Sequence, residues 1–403
     1  MIQDWRNVRL RDVARLINGR AYKKSELLSE GKYPVLRVGN FFTNQSWYYS
    51  DLELDEDKYC DSGDLLYAWS ASFGPRVWEG GKVIYHYHIW KVDFDPKRID
   101  KRFLYYWFEW DKKRIKKQQG AGTTMIHVTK GSMEDRRLLL PVISEQKRIV
   151  AILDEAFAGI ETAIANTEKN LANARELYDG YLGKIFKDEA SKWPKSQLSK
   201  ICTFSSGGTP SKKEKRYWEG AIPWISGRDM KSRRLQDSKL HISEDAVEET
   251  ATRIAPAGSI LILVRGMGLA HGAQVAELMA PCAFNQDIRA IHPVPEIFPR
   301  YLVFALRHRI DEATDVLSNA AHGTLKIDAE GLRNVRIPMP DRETQVEIMA
   351  RIDELLTATD NLKGNFEKKI ANLSELKQSL LQKAFSGELT ADRAEREVES
   401  VAT

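Results

Sequence analysis

The chain has 403 residues, 42% hydrophobic and 29% charged, enough for two or three domains that each bury a core, and this excludes wholesale disorder. A net charge of +4 and a pI near 8.7 permit a polyanionic partner without demanding one, so local charge clusters matter more than the total. Three widely spaced cysteines, Cys60, Cys202 and Cys282, speak against a disulfide framework or a Cys-rich zinc site; with no signal-like or membrane-spanning apolar run, a soluble cytoplasmic protein without a membrane partner is expected.

From the N-terminus, apolar, β-branched and aromatic runs bounded by Gly and Pro predict strands: "YPVLRV" from Tyr33, "DLLYAW" from Asp64 and "KVIYHYHIWKVDF" from Lys82. Within the last run, "YHYH" sets His86 and His88 on one face of the predicted strand. A metal site needs further ligands, and none stands at a recognisable spacing. A helix is predicted over Arg102–Lys117; it ends in the basic run Lys112, Lys113, Arg114, Lys116 and Lys117, before "QQGAGTT". Pro141 then marks the start of a long, proline-free helix. Leu153, Ala156, Ile160, Ala163, Thr167, Ala174, Tyr178, Tyr181 and Ile185 follow 3,4 spacing, with Leu171 one position off. Sustained over nearly forty residues, that spacing predicts a coiled coil of roughly 57 Å at about 1.5 Å per residue.

The plan then starts again. "KWPKSQLSKICTFSSGGT" (Lys192–Thr209) parallels "DWRNVRLRDVARLINGR" (Asp4–Arg20), matching Trp193 to Trp5, Leu198 to Leu10 and Gly207 to Gly19. Lys212, Lys213, Lys215 and Arg216 follow, beside Tyr217 and Trp218. "IPWISGRDM" parallels "YPVLRVGNF" and leads into Arg228, Lys231, Arg233 and Arg234. "GSILILVR" parallels "GDLLYAWS", and "CAFNQDIRAI" sets Asn285 and Asp287 where His86 and His88 stand. Arg300 in a predicted helix over Arg300–Val316 matches Arg102, and Pro340 matches Pro141. "TQVEIMARIDE" from Thr344 repeats "EQKRIVAILDE" from Glu145, 199 positions on, with Gln345 on Gln146 and Asp353-Glu354 on Asp154-Glu155. Ile352, Leu355, Thr359, Leu362, Phe366, Leu373, Leu380 and Ala384 form a second long stripe, with Ile370 slightly off register.

The expected architecture is two compact α/β (α+β) domains alternating with two long helices that pair as an antiparallel coiled coil, an internal pseudo-twofold repeat. The segments are a first domain over 1–142, a helical spacer over 143–190, a second domain over 191–341, a second spacer over 342–390 and a charged tail over 391–403. Dimer symmetry is thereby expected within one chain.

Enzyme signatures are missing. No Pro-Pro pair occurs, so the Asn/Asp-Pro-Pro-aromatic motif of amino-methyltransferases is absent, as are a G-x-x-x-x-G-K-[ST] phosphate loop and an evident nuclease triad. "RGMGLAHG" (Arg265–Gly272) has His271 at the third glycine position of a dinucleotide loop and reads better as a tight turn. The basic clusters, interleaved with Gly, Ser/Thr and aromatics, are of the kind that contacts phosphates. Paired polar residues whose chemistry changes between repeats, His86 and His88 against Asn285 and Asp287, suit base reading; a solvent-facing strand edge is the plainer alternative.

"LPVISEQKRIVAILDE" and "IPMPDRETQVEIMARIDE", each leading into a long helix, together with "GGTPSKKEKRYWEGAIPWISGRDM" and "AFNQDIRAI", resemble the DNA-specificity (S) subunit of type I restriction–modification systems. The resemblance covers essentially the whole chain. It implies two target-recognition domains, each reading one half of a bipartite, asymmetric double-stranded DNA target, with the helices fixing the gap. It implies no catalytic site, no metal and no cofactor in this chain. Adenine methylation and ATP-driven cleavage would belong to two modification (methyltransferase) subunits and to restriction (motor/nuclease) subunits, which would hold S-adenosylmethionine, ATP and Mg. Candidate phosphate contacts are Thr209, Lys212 and Lys213; candidates for base edges or their support are Arg228, Arg265, Asn285 and Asp287. The aligned choices in the first half are Lys23, Lys24, Asn40, Ser70, His86, His88, Lys116, Lys117 and Thr124. That half has "NGRAYKKSE" where the second has its "GGTP" turn, and it is denser in aromatics. The alternative is a stand-alone architectural protein that bridges duplexes, binding DNA tightly and with little sequence preference.

Overall fold

The computed structural model describes residues 5–70, 72–118, 128–312, 317–319 and 325–390. Two units emerge: residues up to Glu168 joined by those from Glu367 onward, and the continuous stretch Lys169–Phe366. Each long helix therefore serves both. Ile143–Gly183 begins in the first unit and ends in the second, and Arg342–Ser386 begins in the second and ends in the first.

In the first unit an antiparallel sheet orders its strands Ala14–Asn18, Ile89–Phe94, Leu65–Ala68 and Gly74–Val77. The helix Lys101–Gln118 contributes Phe103, Leu104, Trp107 and Phe108 to the core that also holds Leu16, Tyr67 and Trp90. A second sheet orders Tyr48–Ser50, Tyr33–Leu36, Val83–Tyr85 and Tyr59–Cys60, with its central pair parallel. The second unit repeats both orders. Its first sheet runs Cys202–Ser206, Ile288–Pro293, Ile260–Leu263, Val275–Leu278, extended by a parallel edge strand Arg234–Leu235. Its second runs His241–Ile242, Ile222–Ile225, Cys282–Phe284, Ile254–Ala255, and its helix is Pro299–Glu312. Cys60, Cys202 and Cys282 are buried and unbridged. Among the described residues no helix is long and apolar enough to cross a membrane.

One predicted element is corrected. "KVIYHYHIWKVDF" is two strands, Val83–Tyr85 and Ile89–Phe94, in different sheets, so His86 and His88 lie in the turn that carries the chain between them. "CAFNQDIRAI" splits in the same way at Asn285–Asp287. The crossing needs close backbone contact, and a glycine provides it in each repeat. A Cβ on Gly19 would lie 2.2 Å from the Tyr85 carbonyl oxygen, and one on Gly207 would lie 2.1 Å from that of Phe284.

The matching glutamines also have a physical role. Gln146 is fully buried; its amide donates to the carbonyls of Arg98 (3.0 Å) and Pro141 (2.8 Å) and accepts from the Asp100 N–H (2.8 Å). Gln345 does the same with Glu296, Pro340 and Phe298. Nearby, Arg102 pairs with Asp154 and Arg300 with Asp353. These contacts fix the start of each long helix to its own domain, satisfying backbone groups that burial would otherwise leave unpaired.

Within each unit the early part of one long helix packs with the late part of the other, so they run antiparallel. Ile149, Leu153, Phe157 and Ile160 share the first core with Leu381, Ala384 and Phe385. Tyr178, Ile185 and Phe186 share the second with Ile348, Met349 and Ile352. Phe385 packs against Phe103 and Trp110, and Phe186 against Tyr301 and His308. Each domain helix is thus covered by the far end of the other repeat's spacer. Phe157 lies off the expected stripe yet is buried, whereas Leu362, on the stripe, is 43% exposed.

Candidate nucleic-acid interface

The turns that join the two sheets collect three other loops in each domain. In the first, the His86 N–H donates to the Leu36 carbonyl (2.8 Å), the Trp69 N–H to that of His88 (3.0 Å), and the Arg20 N–H to that of Tyr85 (3.0 Å). In the second, Asn285 donates to Ile225 (3.0 Å), Val264 to Asp287 (2.8 Å), and Gly208 to Phe284 (2.9 Å). The same backbone device is built twice, and its side chains differ.

In the second domain this brings five predicted residues together. Thr209 donates its hydroxyl to the Gln286 side chain, tying the "GGTP" loop to the turn. Asn285 is buried and donates to Asp287 (3.3 Å), whose own N–H returns to the Asn285 side-chain oxygen (3.2 Å). Arg265 is exposed directly after Val264, in a loop where Gly266 and Gly272 adopt φ of +135° and +95° that L-residues rarely take. Arg228 is exposed on the loop after Ile225. Lys212 and Lys213 are exposed further along the "GGTPSKKEK" loop, Lys212 lining a groove with Lys215 and Trp218.

In the first domain, His86 and His88 occupy the turn beside Trp69, whose indole N–H donates to the Tyr87 carbonyl (2.7 Å). His86 lies in an aromatic cluster with Tyr22, Tyr87 and His88. Burial, with His88 and Arg37 close by, lowers its pKa to about 4, so it is neutral at physiological pH. Lys23 and Lys24 are exposed on the adjoining loop, where Arg20 holds Glu26 through both carboxylate oxygens (2.9 and 2.8 Å) and pulls its pKa down to about 2. Lys116 and Lys117 end the helix Lys101–Gln118, with Lys116 over the Phe73 ring; no hydrogen bond or ion pair among the described residues joins them to the turn. Thr124 lies outside the described residues.

One predicted contact is already used internally, and a second is buried. Asn40 is buried, accepts from the Arg37 N–H (2.7 Å) and donates to the Val35 carbonyl (3.0 Å). Asp229 plays the same part for Ser226 (2.9 Å), so the position shapes a loop in both repeats. Ser70 is buried as well. The cation at that loop is Arg37, which is half-buried. Arg37 lies 5.2 Å from the Tyr48 ring and lines a cleft of about 570 Å³ with Tyr48, His86 and His88.

The profile of the type I restriction modification DNA specificity domain matches residues 2–171 and 190–372, spanning both repeats. The chain belongs to this family. The EcoR124I/EcoR124II specificity subunit of an Escherichia coli type I restriction enzyme is 31% identical over 228 residues, 56% of this chain and 55% of that protein. The EcoBI specificity subunit, also from Escherichia coli, is 24% identical over 419 residues, 97% of this chain and 88% of that protein. The HsdS subunit from Thermoanaerobacter tengcongensis shares the fold at a TM-score of 0.61 and 18% identity, covering 96% of this chain and 98% of that one. A chain from a structure on complex assembly and conformational transition of the type I R-M system does so at 0.75 and 20% identity, with the same coverage. Membership of the specificity-domain family does not support the stand-alone architectural reading.

Proposed function

We propose that this chain is the non-catalytic DNA-specificity subunit of a cytoplasmic type I restriction–modification complex. Its target-recognition domains, 1–142 and 191–341, each read one half of a split, asymmetric duplex target, and the spacers 143–190 and 342–390 set the gap. The observation that carries this reading is the backbone turn built twice with different side chains, His86-Tyr87-His88 and Asn285-Gln286-Asp287. A symmetric target would call for the same side chains in both copies; different ones call for two different half-sites.

Two modification subunits would supply adenine methylation with S-adenosylmethionine, and restriction subunits ATP- and Mg-dependent cleavage. The helices offer a repeated surface suited to two copies of one partner. Leu177 and its counterpart Leu376 are exposed by 72% and 48%, an arrangement that quasi-symmetric binding would use.

The test is single-molecule sequencing of adenine methylation in the host, with and without the gene. Loss of methylation at one split, asymmetric motif is expected. An unchanged methylome, with the gene expressed, would reject this function.

A further inference from the structure

The two turns offer opposite hydrogen-bonding chemistry. In the first domain the cleft at the turn is lined by Arg37, Asn40, Thr43, Tyr48, His86 and His88 among others, and by no carboxylate. Arg37 has no ion pair among the described residues, and Glu26, on the adjoining loop, is already held by Arg20. In the second domain the place of Arg37 is taken by Ser226, whose N–H (2.9 Å) and hydroxyl (2.7 Å) both donate to Asp229. The place of His88 is taken by Asp287. Its carboxylate is half-buried, receives one bond from Asn285 and has no cationic partner among the described residues.

Each arrangement selects a base edge. A guanidinium without a carboxylate partner matches guanine O6 and N7 through two parallel bonds. A carboxylate without a cation is repelled by phosphates, so in a DNA interface it is favourable only where a base amino group donates to it. We infer that the two domains read opposite chemistry through one backbone device: Arg37 specifies a guanine in one half of the target, and Asp287 specifies an exocyclic amino group, cytosine N4 or adenine N6, in the other.

The inference rests on the proposed function, and one experiment separates the two. The full-length chain, assembled with its modification subunits, is assayed for adenine methylation of duplexes randomised at each specified position. The wild-type complex should specify a G·C pair in one half, and the pair specified at the position that Asp287→Asn relaxes in the other, G·C or A·T, identifies the amino group read. Arg37→Ala should lower discrimination at one guanine by roughly 5- to 150-fold and leave the other half-site intact. Arg37→Lys should do likewise, because it keeps the charge and loses the bidentate fork. Asp287→Asn should relax or switch one position in the opposite half by a similar factor.

Full guanine selectivity in Arg37→Lys would assign Arg37 to phosphate and overturn the inference, as would a loss of methylation spread evenly over all sequences in either charge-removing variant. Should Arg37→Ala fail to fold, as shown by its unfolding temperature, Arg37→Lys and the wild-type motif still decide. A complex with no split motif at all would instead reject the function on which the inference rests.

Discussion

His86 carries its chemistry in its surroundings. Its neutral imidazole sits among Tyr22, Tyr87 and His88, and burial holds its pKa at about 4 against an ordinary 6.5. The unfolded chain therefore binds more protons than the folded one between those values, and stability rises with pH across that window. Acidifying from pH 6.5 to 4 is expected to lower the denaturation midpoint of the wild-type protein more steeply than that of His86→Asn. Equal slopes in denaturant titrations would remove His86 as the cause. Residue types at the site were legible from the sequence because the repeat aligned them; their roles were only partly so. Asn40 is among the DNA-contact candidates of the first half, but burial commits both the donor and the acceptor of its amide to the loop. Arg37, three positions earlier, was overlooked because an isolated arginine in a strand-like run gives no pattern, and its freedom from carboxylates is visible only in three dimensions.

At the scale of elements, the pair Gly19 and Gly207 is the clearest link between sequence and architecture. In each repeat the strand that begins the first sheet passes within van der Waals distance of the crossing turn, and the obstructing atoms are backbone oxygens that no rotamer change can move. Gly19→Ala is expected to destabilise the protein by on the order of 3 kcal/mol and to disturb recognition of one half-site; Gly207→Ala should do the same to the other. Calorimetry on both variants checks this, and wild-type unfolding temperatures would refute it. The long helices were legible because proline-free 3,4 spacing sustained over so many residues has few other readings. The error lay in "KVIYHYHIWKVDF", where an unbroken β-prone composition conceals a change of sheet. Periodicity reports which residues favour extended backbone and carries no record of which neighbour each strand pairs with.

For the molecule as a whole, duplication is what made the plan readable. Gln146 and Gln345, Arg102 and Arg300, and Asp154 and Asp353 recur because every domain needs the same anchor to its spacer, whatever its loops read. Leu177 and Leu376 are a further repeated position, apolar and exposed in both helices. Because both are exposed, Leu177→Asp and Leu376→Asp should leave the unfolding temperature unchanged. Each single variant is expected to retain one copy of the modification subunit in size-exclusion chromatography, and the double variant none. Full assembly by the double variant would place that interface elsewhere.

The division of the spacers between units also dictates an order of events on the ribosome. The second unit is one continuous stretch, Lys169–Phe366, and can close its core as soon as it emerges. The first cannot, because Leu381, Ala384 and Phe385 complete a core begun by Ile149 and Leu153. At about 5–20 residues per second, the N-terminal domain waits some ten to fifty seconds, roughly, for its final covering. The half of the protein made first is therefore finished last, and a chain cut short before Phe385 loses the ring that packs against Phe103 and Trp110.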